Sequence, residues 1–136
     1  MNDQPIGLTR DAGFEIGVSR TVDTPLPRVW DALMSEEGVR TWLGDGVQLP
    51  AERGAGYRTG DGTTVKIRSF HPNDRVRLTW QPPDWDHEST VQVAVSQRGG
   101  RTVIRFHQER LADPEERERQ REHWRAVMDA LVARLT

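Results

Sequence analysis

The side chains that could do chemistry are few and scattered. Gln108 and Arg20 stand out. Each falls on the apolar side of an alternating segment, Gln108 in line with Ile104 and Phe106, and Arg20 in line with Phe14, Ile16 and Val18. A polar group that converges on an apolar pocket orients a ligand. Each also has a structural reading. Gln108 can hydrogen-bond a neighbouring backbone group or a buried indole N–H, and Arg20 can pair with a carboxylate. Arg20 could polarise a carbonyl. The amide of Gln108 does not titrate near neutral pH, so it is neither a general acid nor a general base.

Familiar catalytic groupings are missing from the sequence. The four His (71, 87, 107 and 123) show no HxH or HxxxH spacing, so no three-His metal site is expected. Asp84, Asp86, His87 and Glu88 crowd one loop and could attract a cation, but a solvated hairpin tip explains them more simply. No Ser sits in a GxSxG elbow, and there is no Walker loop or dinucleotide fingerprint. Gly44-Asp45-Gly46 lacks the strand–helix setting that phosphate binding requires. With no Cys there is no disulfide, thiolate zinc site, Fe–S cluster or thiol nucleophile. No cofactor or metal is expected.

What remains is apolar. Trp30, Trp42, Trp80 and Trp124 are the large residues most able to meet in one place, with Met34, Ile67, Val93, Ile104, Phe106 and Met128 around them. They either line a hollow or fill it.

The elements that must position these residues follow from periodicity. Phe14–Val22 alternates as a half-buried strand. Thr24 is placed to cap a helix and Pro25 to take its first position, with Leu26, Val29, Trp30 and Leu33 at helical spacing. Ser35-Glu36-Glu37 starts a second short helix, with Val39, Trp42 and Leu43 as its apolar side, and Gly44 and Gly46 end it. Residues 44–62 hold six Gly and read as loop, with a short strand near Ala55–Thr59. Strands are expected over Thr63–Phe70, Arg75–Gln81, Thr90–Gln97 and Thr102–Gln108, with turns at His71-Pro72-Asn73-Asp74 and Gly99-Gly100. Asp113-Pro114-Glu115-Glu116 is a capping box that opens a helix of about 22 residues, with a stripe of Trp124, Val127, Met128, Leu131 and Leu135. Residues 1–12 read as a loose leader and 13–136 as one domain.

The 136 residues suit one domain. Nineteen basic against twenty-one acidic residues give a net charge of -2, a poor balance for a nucleic-acid binder. No apolar run approaches the roughly 18 residues of a membrane span, and the N-terminus lacks the flank of a secretory signal. A soluble cytoplasmic protein, without nucleic acid or membrane insertion, is expected. Five or six antiparallel strands must bury one face, and the last helix is the only long amphipathic element available to cover it. A curved sheet under one helix tends to leave a hollow, which side chains or a ligand can occupy.

Several segments resemble the START-like (SRPBCC) superfamily and, more narrowly, proteins similar to the C-terminal domain of the Hsp90 ATPase activator. They are Val22-Asp23-Thr24-Pro25 through Val29-Trp30-Asp31-Ala32-Leu33, then Trp42-Leu43-Gly44, Pro72-Asn73-Asp74-Arg75-Val76-Arg77-Leu78-Thr79-Trp80 and Gly100–Gln108, with Trp124 and Leu131 behind them. Where the family often has His at the last inward position of its penultimate strand, this chain has Gln108. The resemblance spans about residues 14–135. It implies an α+β helix-grip fold, a curved antiparallel sheet wrapped on a long C-terminal helix with a cavity between them. The expected function is binding of a hydrophobic small molecule, aromatic ones included, in that cavity. Its expected lining is Arg20, Met34, Trp42, Ile67, Trp80, Val93, Ile104, Phe106, Gln108, Trp124 and Met128. A cyclase-, aromatase- or hydrolase-type enzyme and an Hsp90-interacting module are the alternatives; fold alone does not choose among them.

Overall fold

The structure, a computed structural model, describes residues 8–9 and 13–135. Seven strands form one antiparallel sheet. They are β1 (Leu8–Thr9), β2 (Gly13–Val22), β3 (Gly56–Arg58), β4 (Thr64–His71), β5 (Arg75–Gln81), β6 (Ser89–Arg98) and β7 (Arg101–Leu111), in the order β1-β2-β7-β6-β5-β4-β3. Helices α1 (Leu26–Met34) and α2 (Glu36–Trp42) follow β2, and α3 (Pro114–Leu135) closes the chain. This is the helix-grip arrangement.

Alternation decides which face is buried. Val76, Leu78 and Trp80 of β5 point inward, as do Val91, Val93 and Val95 of β6 and Ile104, Phe106 and Gln108 of β7. Helix α3 lays Trp124, Val127, Met128 and Leu131 on them. Each such apolar side chain contributes roughly 1.5–3 kcal/mol on full burial. The charged first half of α3 is held differently. Asp113 accepts from the Glu116 N–H at 2.7 Å, as the capping box requires, while Glu116 accepts from the N–H of Ala112 at 3.0 Å.

Three local expectations need correction. Pro25, not Thr24, is the N-cap of α1, and no side chain caps that helix; the Thr24 carbonyl instead accepts from the Thr102 hydroxyl at 2.7 Å. The sheet gains a strand inside the segment read as a loose leader, because Leu8 and Thr9 pair with Phe14 and Gly13; the rest of residues 1–12, and Thr136, lie outside the described residues. Strand β7 runs on to Leu111, past the expected end at Gln108, by way of a bulge at Arg110, whose φ is 66°.

Candidate functional site

The short helices and the glycine-rich segment after them build a cleft at the end of the sheet where β3 lies. Ser35 caps α2 by accepting from the Gly38 N–H at 3.0 Å. Helix α1 can run close beneath because Gly38 has no side chain; a Cβ there would stand 1.8 Å from the Ala32 carbonyl oxygen. At the other end, Gly44 (φ +101°) reverses the chain and returns its N–H to the carbonyls of Val39 and Arg40 at 3.2 and 3.1 Å. Gly46 (φ +98°) then lets the loop lie on β3, where a Cβ would come within 2.9 Å of the Arg58 carbonyl oxygen. The Gly60 N–H ties to the Asp45 carbonyl at 3.1 Å. The turn that carries Gly60 is itself braced by Asp61, which accepts from the Thr59 hydroxyl and from the Thr63 N–H. Those bonds hold the Asp61 carboxyl below its usual range.

The cleft is half open to solvent and has a volume of about 560 Å³. Met34, Val39, Val47, Leu49 and Tyr57 supply apolar wall. Glu36, Arg40 and Asp45 supply charge. The Arg40 guanidinium donates to Asp45 at 2.6 Å and to Glu36 at 3.3 Å, so its fork is oriented while remaining half exposed. Size and mixed lining suit a small molecule with an apolar body and a polar end. Among the described residues that line the cleft, no nucleophile is paired with a base.

Of the eleven residues expected to line a hollow between sheet and α3, all but Arg20 and Met34 are brought together in one packed core. The ring of Phe106 stacks on Trp124 at 4.9 Å, Trp42 lies 5.9 Å from Phe106, and Trp80 lies 6.3 Å from Trp124. Ile67, Val93, Ile104, Gln108 and Trp124 are 0% exposed, and Met128 is 1%. Both amide atoms of Gln108 are engaged. Its Oε1 accepts from the Trp124 indole at 2.7 Å, and its Nε2 donates to Ser89 Oγ at 2.9 Å. Trp42 donates its own indole N–H to the Leu33 carbonyl at 3.0 Å. Arg20, opposite Ile104 in register, reaches Asp129 of α3 at 2.5 Å in an exposed pair. For Gln108 and Arg20 these are the structural roles described above. Of the eleven residues, Met34 lines the 560 Å³ cleft.

The sequence reading missed Val39, Val47, Leu49, Tyr57 and Arg40 as cleft residues. Their signal was indirect. It lay in the crowding of glycines after α2, which marks a loop folded back closely on other backbone.

The model of the family described as Activator of Hsp90 ATPase homolog 1-like protein matches residues 23–136. Among curated proteins no sequence matches the chain. Solved structures share the fold. DynU16, a putative protein in the dynemicin biosynthetic locus, superposes with a TM-score of 0.74 at 22% identity over 89% of this chain, which spans only 46% of DynU16. CalU16 from Micromonospora echinospora gives 0.75 at 18% identity, over 92% of this chain and 78% of its own. An HSP90 activator from Plasmodium falciparum, PFC0360w, gives 0.65 at 15% identity, over 81% and 86%. No helix among the described residues is long and apolar enough to cross a membrane.

Proposed function

The chain belongs to the family of activator of Hsp90 ATPase homolog 1-like proteins, within the START-like superfamily, and from that premise we propose that it binds a small hydrophobic molecule with a polar end in the cleft between α2, the 44–50 loop and β3. The observation that carries this reading is the cleft itself: about 560 Å³, with Met34, Val39, Val47, Leu49 and Tyr57 on its walls and an oriented Arg40 at its edge. Apolar transfer supplies the affinity, at roughly 25 cal/mol per Å² before association costs. Arg40, or the Asp45 and Glu36 carboxylates it holds, orients the polar end. An aromatic body suits the Tyr57 wall.

The test is titration with fatty acids, flavonoids and aromatic polyketides, read by amide chemical shifts. Saturable shifts at Val39, Val47, Leu49 and Tyr57 are expected. Shifts centred on Phe106, Trp124 and Met128 would move the ligand into the sheet–helix interior. The absence of any saturable response would sink the reading.

A second reading, regulation of an Hsp90-type chaperone, rests on the family description and on the fold shared with the Plasmodium activator. Co-purification with Hsp90, and a change in its ATPase rate on addition of this protein, would support it. An enzyme of cyclase or hydrolase type would have to draw on the Glu36 and Asp45 carboxylates, both of which Arg40 engages.

A further inference from the structure

The face of the sheet turned away from α3 carries a second feature, independent of the cleft. Strands β4 and β7 each contain a bulge. In β4 the register jumps between Ile67 and Ser69, so Arg68 drops out of the ladder while Ile67 and Phe70 both stay opposite inward-facing partners. In β7 the register runs from Gln108 to Leu111 against Ile16 and Phe14, and Arg110 is the extra residue. A bulge re-aims a side chain, and bulges are over-represented next to functional sites. Here both extra residues are Arg. One of them, Arg110, has φ 66°, a conformation that an unbranched long side chain rarely adopts.

Both arginines border one hollow of about 460 Å³, whose other walls include Arg77, Thr79, Thr90 and Glu88. Thr79 and Thr90 are direct partners across the β5–β6 ladder, and both line the hollow between the two bulges. Arg77 is fixed by Glu109 at 2.5 Å and Gln92 at 3.3 Å, which spends most of its charge. Arg68 and Arg110, by contrast, form no ion pair among the described residues. Arg68 also borders an adjoining hollow with Glu52, Arg53 and His71 on its wall. The area is thus rich in unspent donors in a chain whose net charge is -2.

We propose that this hollow is a binding site for the phosphate monoester of a small hydroxylated molecule. Arg68 and Arg110 grip the phosphate from opposite sides of the β5–β6 hairpin. Guanidinium forks match phosphate oxygens in geometry as well as charge. The Thr79 and Thr90 hydroxyls donate to it from the floor. Exposed Glu88 works against a bare anion and accepts from a hydroxyl, so it selects for a phosphate with a sugar-like body.

Titration with ribose 5-phosphate, inorganic phosphate and ribose, read by amide shifts, tests this. Expected are saturable shifts at Arg68, Thr79, Thr90 and Arg110, tightest with ribose 5-phosphate and absent with ribose. Arg68→Gln and Arg110→Asn should each weaken binding about tenfold, the loss expected for one charged hydrogen-bond partner. Asn tolerates a left-handed φ, so the second variant keeps its fold, and a dispersed amide spectrum verifies that. Arg105→Gln removes a charge from the same face outside the hollow and should leave affinity unchanged. Equal weakening by Arg105→Gln, or no saturable shift with either phosphate, would overturn the proposal.

Discussion

The indole of Trp124 donates to the side-chain oxygen of Gln108 at 2.7 Å, joining α3 to β7 through the centre of the core. The link continues. Gln108 donates to Ser89, and Ser89 donates to the Trp80 carbonyl at 2.7 Å. In dry surroundings a satisfied chain of this kind fixes the position of α3 on the sheet, and a broken one leaves stranded polar groups.

Gln108→Leu keeps most of the volume and removes both bonds. The Trp124 N–H loses its acceptor and the Ser89 oxygen loses a donor. Each stranded group costs about 1–3 kcal/mol. Urea denaturation should therefore show a large fall in midpoint with an unchanged slope. Adding Trp124→Phe to that variant removes the stranded indole N–H but leaves a cavity, so it should cost less there than in the parent, where it strands the Gln108 oxygen as well. A Gln108→Leu protein as stable as the parent would mean that the chain of bonds carries no weight.

Gly38 makes a sharper case. It is buried in α2, and its missing Cβ is what allows the Ala32 carbonyl to approach. In an exposed helix Gly→Ala stabilises by about 1 kcal/mol. Here the same change puts a methyl group inside backbone, so Gly38→Ala should destabilise by about 3 kcal/mol or more. Thermal unfolding followed by circular dichroism reads the sign directly.

These two residues also mark what the sequence can reveal. The stripe on α3, the alternation in β2 and β4–β7, and the capping box at Asp113 are local signals, and each element formed on them, with β7 running past its expected end to Leu111. Gln108 was visible as a polar residue on an apolar face, but not which of its two roles it plays. That depends on Trp124 and Ser89, which alternation and helical phase bring near only after the sheet closes. Gly38 gave no signal, because its constraint comes from a neighbouring helix. The cleft was the least legible part. Loop backbone after α2 shapes it, and glycines that permit many paths do not specify one.

The loop between β5 and β6 is pinned to α3 by a titratable group. The two ring nitrogens of His87 lie 3.0 Å from Asp86 and 2.7 Å from the buried carboxylate of Glu116, and its ring stacks on Trp85 at 4.8 Å. Burial opposes a charge on His87, but hydrogen bonds to Asp86 and Glu116 outweigh it and hold the imidazole above its usual value. A raised folded-state pKa stabilises fully below the unfolded value, near 6.5, and the benefit fades as pH rises through the folded value. The hydrogen bond from His87 holds the Asp86 carboxyl low, so its contribution fades in the opposite direction, as pH falls through that lowered value. The stability difference between the parent and His87→Gln should therefore be greatest in mild acid and shrink toward pH 8, roughly following the imidazole titration. A difference that grew with pH would invert the assignment.

The cleft offers a test that separates binding from folding. Leu49 is half-buried and lines the cleft from the loop side, so a larger side chain there can enter the empty volume instead of displacing core. Leu49→Trp should narrow the site at its loop-side wall and leave the sheet intact. Stability should stay within about 1 kcal/mol of the parent, because no packed side chain has to move. Affinity for any ligand that shifts Val39 and Tyr57 should fall at least about tenfold, since 1.4 kcal/mol of lost contact suffices. Arg40→Ala should act differently. It frees Asp45 and Glu36 and removes the oriented guanidinium, so ligands with an acidic end should lose affinity while neutral ones keep theirs. Undiminished affinity in Leu49→Trp would place the ligand away from the Leu49 wall of the cleft.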